Sequence, residues 1–203
     1  MEGLLGGLRV RLRWAPGPAT AGHVVSWIGD ERIAISGVPP VLAVPRLAEQ
    51  GVTHVVNCRP RAQVRWWGDL AAERAAFGVA RVAHAPMQDH GLRQRPAAWA
   101  AAARFAAAAL EDEPEAGVLI HCTAGRRRSA MVAYAVLRLR GHDRAAAAAL
   151  VLRYRTGAML VPAYVRSVER WLAAGAARLG WAGGCGATRA ERPDRPGDTA
   201  AAR

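Results

Sequence analysis

From about residue 23 to residue 180 the apolar positions follow two alternating rhythms, short β-branched runs and longer stretches with helical spacing. Val24–Ile28 and Arg32–Ser36 read as two short strands joined at Gly29–Asp30. Val44–Gln50 reads as a short helix stopped by Gly51. Val52–Asn57 is β-branched and predicts a buried strand. Asp69–Phe77 predicts a helix closed by Gly78, and Val79–Ala85 a further strand broken by Pro86. Pro96–Leu110 is alanine-rich and helical, with Trp99, Phe105 and Leu110 as its larger apolar side chains. Val118–His121 is a short strand, and Ser129–Arg140 a helix ended by Gly141. Asp143 is placed to cap a helix over Arg144–Thr156, and Pro162 opens a last one to about Arg178. Strands alternating with helices predict an α/β fold: a central, mostly parallel sheet of four to five strands flanked by helices. In such sheets ligands sit beyond the carboxyl ends of the strands.

Outside that rhythm the pattern fails. Residues 1–22 end in a Pro/Gly/Ala-rich run and read as a flexible leader; residues 181–203 lack large apolar clusters and read as a disordered tail. The expected catalytic domain is 23–180. No apolar run is long enough to span a bilayer, and arginines interrupt the first residues where a signal peptide is continuously apolar. Stable membrane insertion is therefore not expected.

Composition adds one oddity. The chain has 203 residues and a formal charge of +12, and all 28 basic residues are arginine. With 46 alanines, Ala, Gly, Pro and Arg make up over half of the sequence. Codon usage in a GC-rich genome accounts for this, and so does a surface that meets polyanions. Three scattered cysteines, Cys58, Cys122 and Cys185, make neither a disulfide framework nor a zinc site, which points to the reducing cytoplasm. There is no basic–aromatic repeat or nucleic-acid motif, so specific nucleic-acid binding is not expected.

The chemistry concentrates where Val118–His121 runs into Cys122-Thr123-Ala124-Gly125-Arg126-Arg127-Arg128-Ser129. A loop of this length between a strand end and a helix start can curl its N–H groups into one concavity. Gly125 permits the tight turn, and the helix start adds free N–H groups and a positive dipole end. Such a cradle takes a tetrahedral oxyanion and lowers the pKa of a thiol at its base. Arg128, six residues after Cys122, offers a planar fork for two phosphate oxygens.

This HCxxGxxRS string resembles the signature of the cysteine-dependent tyrosine and dual-specificity phosphatases; the member expected is a bacterial one. The likeness covers roughly residues 24–175, including Val55-Val56-Asn57-Cys58-Arg59-Pro60. It implies Cys122 as nucleophile, Arg128 as phosphate clamp, and Ser129 as the hydroxyl that helps the thiolate leave, although serine also suits a helix start. Thr123, Ala124, Gly125, Arg126 and Arg127 are implied as substrate-binding loop positions, with His121 ordering the loop or filling the core. Phosphatases of this kind carry a general acid about thirty residues before the cysteine. Asp89, in Ala85-Pro86-Met87-Gln88-Asp89-His90-Gly91, stands there, with His90 a weaker candidate and an ordinary turn residue the alternative. The resemblance implies neither metal nor cofactor. In some relatives a cysteine at the position of Cys58 forms a reversible disulfide with the nucleophile; the alternative is a small buried hydrophobe. Pro162-Ala163 departs from the Pro-Asn pair that opens the last helix in many eukaryotic members.

The substrate implied is a phosphorylated protein, phosphotyrosine first and with it phosphoserine or phosphothreonine. A phospholipid or other small phosphoester is second, because Arg126, Arg127, Arg59 and Arg61 would add charge at the mouth. A rhodanese-type sulfurtransferase remains open as well, since Arg127 satisfies its Cys-x4-Arg spacing. So does a phosphate-binding module without turnover. Trp66-Trp67 falls in a loop after Arg65, and core packing is the expected role of the pair.

Overall fold

The computed structural model describes residues 25–175. The expected leader and tail, and Cys185, lie outside these residues. Five strands form one mixed sheet: β1 (Val25–Trp27), β2 (Ile33–Ser36), β3 (His54–Asn57), β4 (Val82–His84) and β5 (Val118–His121). Their order across the sheet is β1-β2-β5-β3-β4. Only β1 runs antiparallel; β2, β5, β3 and β4 are mutually parallel. The fold class expected from the strand–helix alternation is the one observed.

Register decides where the site falls. His121 on the central strand pairs with Ser36 on one side and Asn57 on the other. The carboxyl ends of three parallel strands therefore align, and Gly37, Cys58 and Cys122 leave the sheet together. The Cys58 N–H donates to the His121 carbonyl at 2.8 Å, carrying the pairing one residue further.

Alternation along the strands sends side chains to two cores. Val118 and Ile120 face the larger one, with Ile33, Ile35 and Val56. It is covered by α3 (Ala100–Asp112), α4 (Arg128–Leu139), α5 (Arg144–Tyr154) and α6 (Pro162–Ala173). Leu119, Ala34 and Val55 face the smaller one, with Val44 and Leu47 of the 3-10 helix Val41–Gln50. Leu70 and Phe77 of α2 (Asp69–Phe77) complete that layer. Alanine matters to packing as well as to propensity. Ala102, Ala103, Ala106 and Ala107 of α3 and Ala130 and Ala133 of α4 are all buried in the larger core, so the two helices need little space between them. Trp99 and Trp171 meet edge to face, 5.1 Å between ring centroids, and fill the end of that layer.

Several boundaries differ from expectation. Residues 41–50 form a 3-10 helix with Pro45 inside it, where the missing N–H and the ring break a regular α ladder. Val79–Arg81 is a 3-10 turn rather than strand; sheet pairing begins only at Val82, opposite Val55. The helix expected from Pro96 opens with a 3-10 turn over Pro96–Ala98, becomes α-helical at Ala100 and runs to Asp112. The Asp143 cap is present, its carboxylate accepting from the Ala146 N–H at 2.7 Å, but that helix ends at Tyr154. The last helix ends at Ala173 rather than near Arg178. The loop expected around Trp66–Trp67 is instead helix α1 (Arg61–Trp67), entered after Pro60 and closed by Gly68 at φ 70°. Val64 is its buried residue, whereas Trp66 and Trp67 are 84% and 66% exposed. The expected core role of the tryptophan pair is therefore wrong.

Candidate active site

The loop between β5 and α4 folds back over the ends of β2 and β3. Gly125 makes this possible. Its φ is +67°, and a Cβ built there would lie 2.4 Å from the Ser36 carbonyl group and 2.5 Å from the Gly37 nitrogen. The Gly125 N–H then points at Cys122 Sγ, 3.2 Å away. Ser129 Oγ reaches the same sulfur at 3.4 Å.

Cys122 is buried at the base of this turn. Burial by itself raises the thiol's pKa. The Ser129 hydroxyl, the backbone N–H groups of Ser129 and Arg126 and the charge of Arg128 outweigh it and bring the thiol down to about 7. Donors converging on one sulfur at a helix start hold a thiolate at neutral pH. Cys58, fully buried, shows the opposite case. Burial pushes its thiol well up, and the neighbouring Cys122 charge adds to this against a smaller pull from Arg128. Both cysteines are free thiols.

Arg128 is buried, and its charge acts on the Cys122 thiol. Its Nη2 donates to Thr123 Oγ1 at 3.0 Å, and its Nη1 reaches the carbonyls of Met87 and Cys58 at 3.3 and 3.4 Å. Its buried Nε has no hydrogen-bond partner among the described residues and lies 3.7 Å from Asp89 Oδ2. An unspent donor aimed at this space fits an anion. Thr123 Oγ1 also donates to Gln63 Oε1 of α1 at 3.2 Å, so that helix abuts the loop.

Asp89, on the connection between β4 and α3, is held at the same mouth. Arg127 Nη1 is 3.2 Å from its Oδ1, and the Tyr164 hydroxyl donates to that oxygen at 3.2 Å. Tyr164 also accepts from the Gly91 N–H at 3.1 Å, and the Arg127 guanidinium lies 5.9 Å from its ring centroid. Arg127 thus faces the Asp89 loop, while Arg128 reaches from Thr123 to the Met87 and Cys58 carbonyls. His90 makes a local bond, its Nδ1 accepting from the Leu92 N–H at 3.0 Å.

Other expected residues settle differently. Arg126 Nε donates to the Gly157 carbonyl at 2.8 Å, and its own carbonyl accepts from the Met159 N–H, tying the loop to the α5–α6 connection. Arg59 does not line the mouth: it is buried, its Nη1 2.8 Å from Asp69 Oδ1. Arg61 is exposed on α1, lining an open groove with Ala62, Arg65 and Trp66. His121 is buried and its Nε2 lies 2.7 Å from Glu73 Oε1. Asn57 Nδ2 donates to Glu73 and to Asp69 Oδ2, so a polar network supports the strand ends beneath the loop.

Tyr164, Gln63, Glu73 and Arg155 also join the site or its support, and the expected set did not include them. Arg155 braces the loop from outside, its Nε donating to the Gly125 carbonyl and its Nη1 to Ser26 Oγ, both at 3.1 Å. Of the four, Glu73 alone carried a signal, a carboxylate one helical turn after Asp69 on a short helix.

No family model and no curated protein sequence matches this chain. Solved structures do match. Tk-PTP in its active form shares 23% identity over 72% of this chain and 94% of that one, with a TM-score of 0.60. Human DUSP28 shares 23% over 80% and 99%, with a TM-score of 0.59. PTPMT1 in complex with PI(5)P shares 18% over 74% and 96%, with a TM-score of 0.62. The chain has the fold of the protein tyrosine and dual-specificity phosphatases, and its sheet is mixed but mostly parallel.

Proposed function

We propose that this protein is a phosphatase that hydrolyses phosphoric monoesters through a phosphocysteine. The observation that carries the reading is one short loop holding a thiol brought down to about 7 and a buried arginine with an unspent donor, which Asp89 faces at 3.7 Å.

In the first step the Cys122 sulfur attacks phosphorus in line, forming the S–P bond as the ester P–O bond breaks. Arg128 and the loop N–H groups hold the equatorial oxygens, where charge spreads in the transition state. Asp89 in its acid form gives its proton to the leaving oxygen. Water then attacks phosphorus and gives a proton to Asp89. The S–P bond breaks, inorganic phosphate leaves, and the Ser129 hydroxyl steadies the returning thiolate. His121 is a positioning residue through Glu73. Thr123 to Arg127 supply the walls and amides of the cradle.

Phosphotyrosine, with phosphoserine or phosphothreonine, is the first substrate class, on a phosphorylated protein in the reducing cytoplasm. A phospholipid monoester is the second reading, favoured by the exposed Trp66–Trp67 pair beside the site. Sulfur transfer is disfavoured, because Arg127, the arginine its spacing requires, is engaged by Asp89. The test is hydrolysis of p-nitrophenyl phosphate alongside thiosulfate:cyanide exchange. The expected result is phosphatase turnover that Cys122→Ser abolishes while vanadate still binds. Turnover by Cys122→Ser, or thiosulfate:cyanide exchange without phosphatase activity, overturns the reading.

A further inference from the structure

The exposed face of α1 is not explained by catalysis. Arg61, Ala62, Arg65, Trp66 and Trp67 are all exposed along a helix of two turns. Trp66 at 84% and Trp67 at 66% are costly places to leave indole rings in water. Trp66 shares its groove with Arg61 and Arg65. Helix α1 touches the cysteine loop through Gln63 and Thr123. Across the same loop, the Asp89 segment puts out a second pair of this kind: Leu92, 67% exposed, followed by the exposed Arg93. The two apolar–basic pairs are thus joined through Thr123, Arg128 and Asp89, the groups that ring the cradle.

We propose that these two pairs dock the protein on an anionic lipid bilayer, with the cysteine loop facing the membrane. The chemistry of each partner matches. Indole rings settle at the headgroup level, where one edge is apolar and the other wet. Arginines beside them meet anionic headgroups, and a basic, apolar face with no spanning helix is that of a protein lying on a membrane. No helix among the described residues is long and apolar enough to cross one. The formal charge of +12 supplies long-range attraction, and the tryptophans fix which face lands. A substrate whose phosphate is presented at the bilayer follows from this docking together with the phosphatase reading; the docking itself stands without it.

The experiment is sedimentation of the full chain with vesicles of phosphatidylcholine alone and of phosphatidylcholine with phosphatidylglycerol. The variants are Trp66→Ala/Trp67→Ala, Arg61→Gln/Arg65→Gln, and a charge-matched control, Arg144→Gln/Arg153→Gln, on α5, a helix that covers the larger core. Anionic vesicles are expected to bind the wild type at least about tenfold more tightly than neutral ones. Either α1 variant loses on the order of tenfold, the control much less, and turnover of soluble p-nitrophenyl phosphate stays within about twofold for all of them. Equal loss in the control and the α1 variants, or wild type indifferent to phosphatidylglycerol, overturns the docking. A third outcome overturns it too: Trp66→Ala/Trp67→Ala that binds vesicles normally but raises KM for an acidic phosphotyrosine peptide makes the surface a peptide site. Vesicle binding without phosphatase turnover instead overturns the reading of the catalytic loop and leaves the docking standing.

Discussion

The Ser129 hydroxyl lies 3.4 Å from the Cys122 sulfur, and it leads the donors that bring the thiol down to about 7. Burial works in the other direction, so the thiolate exists at neutral pH only because these donors outweigh it. The thiolate is the reactive form, so alkylation of Cys122 by iodoacetamide is expected to rise with pH through a midpoint near 7. Ser129→Ala shifts that midpoint upward. It also slows the second half-reaction more than the first, so phosphocysteine accumulates as a pre-steady-state burst with p-nitrophenyl phosphate. An unchanged midpoint in Ser129→Ala removes the hydroxyl from this role.

Asp89 is held from two sides, by Arg127 Nη1 and by the Tyr164 hydroxyl, each at 3.2 Å from the same oxygen. Removing a general acid costs most where the leaving group is a poor one, roughly 10²–10⁴-fold. Asp89→Ala is therefore expected to slow alkyl phosphates far more than p-nitrophenyl phosphate. Tyr164→Phe keeps the ring under Arg127 but drops the hydroxyl bonds to Asp89 and Gly91. Its expected loss is about tenfold on alkyl esters and little on p-nitrophenyl phosphate. A uniform loss across leaving groups makes Tyr164 structural only.

What the sequence disclosed follows from what chain periodicity encodes. Val118–His121 and the Cys122–Ser129 loop were legible because strand, cysteine, turn glycine and arginine lie in one short segment. The site's walls were not. Tyr164 and Gln63 reach it from helices about forty residues later and sixty earlier, and nothing local marks either one. Arg59 reads like a cation for the mouth, yet Asp69, ten residues on, buries it in an ion pair. Trp66–Trp67 reads like core because tryptophan usually is. The helix stop at Gly68 and the single inward residue Val64 turn both rings outward.

Gly125 and Gly141 both have positive φ, +67° and +95°, and they separate backbone strain from close approach. At Gly141 a Cβ meets nothing within 4 Å, so Gly141→Ala costs only the left-handed conformation, about 1 kcal/mol. At Gly125 the same methyl runs into the Ser36–Gly37 backbone at 2.4–2.5 Å, which no side-chain rotation relieves. Gly125→Ala is expected to cost about 3 kcal/mol or more, a Tm drop of roughly 6–12 °C. Its cysteine loses the low midpoint, because the loop amides move. Similar Tm values for the two variants contradict this packing.

Cys58 and Cys122 leave adjacent strand ends, joined by the Cys58 N–H to His121 carbonyl bond, and their thiols differ in character. Peroxide oxidises the more acidic one: the Cys122 thiolate attacks an oxygen, and hydroxide leaves a sulfenic acid. The Cys58 thiol, held protonated by burial, then gives up its proton as it attacks that sulfur, and water departs. The expected product is a Cys58–Cys122 disulfide two hydrogens lighter than the dithiol, reversed by dithiothreitol with recovery of activity. Cys58→Ser, lacking the resolving thiol, goes on to sulfinic acid and loses activity permanently under the same dose. Mass spectrometry of the peptic digest decides the matter. Full recovery of Cys58→Ser, with no cross-linked peptide in the wild type, leaves Cys58 as a packing residue beneath Arg128.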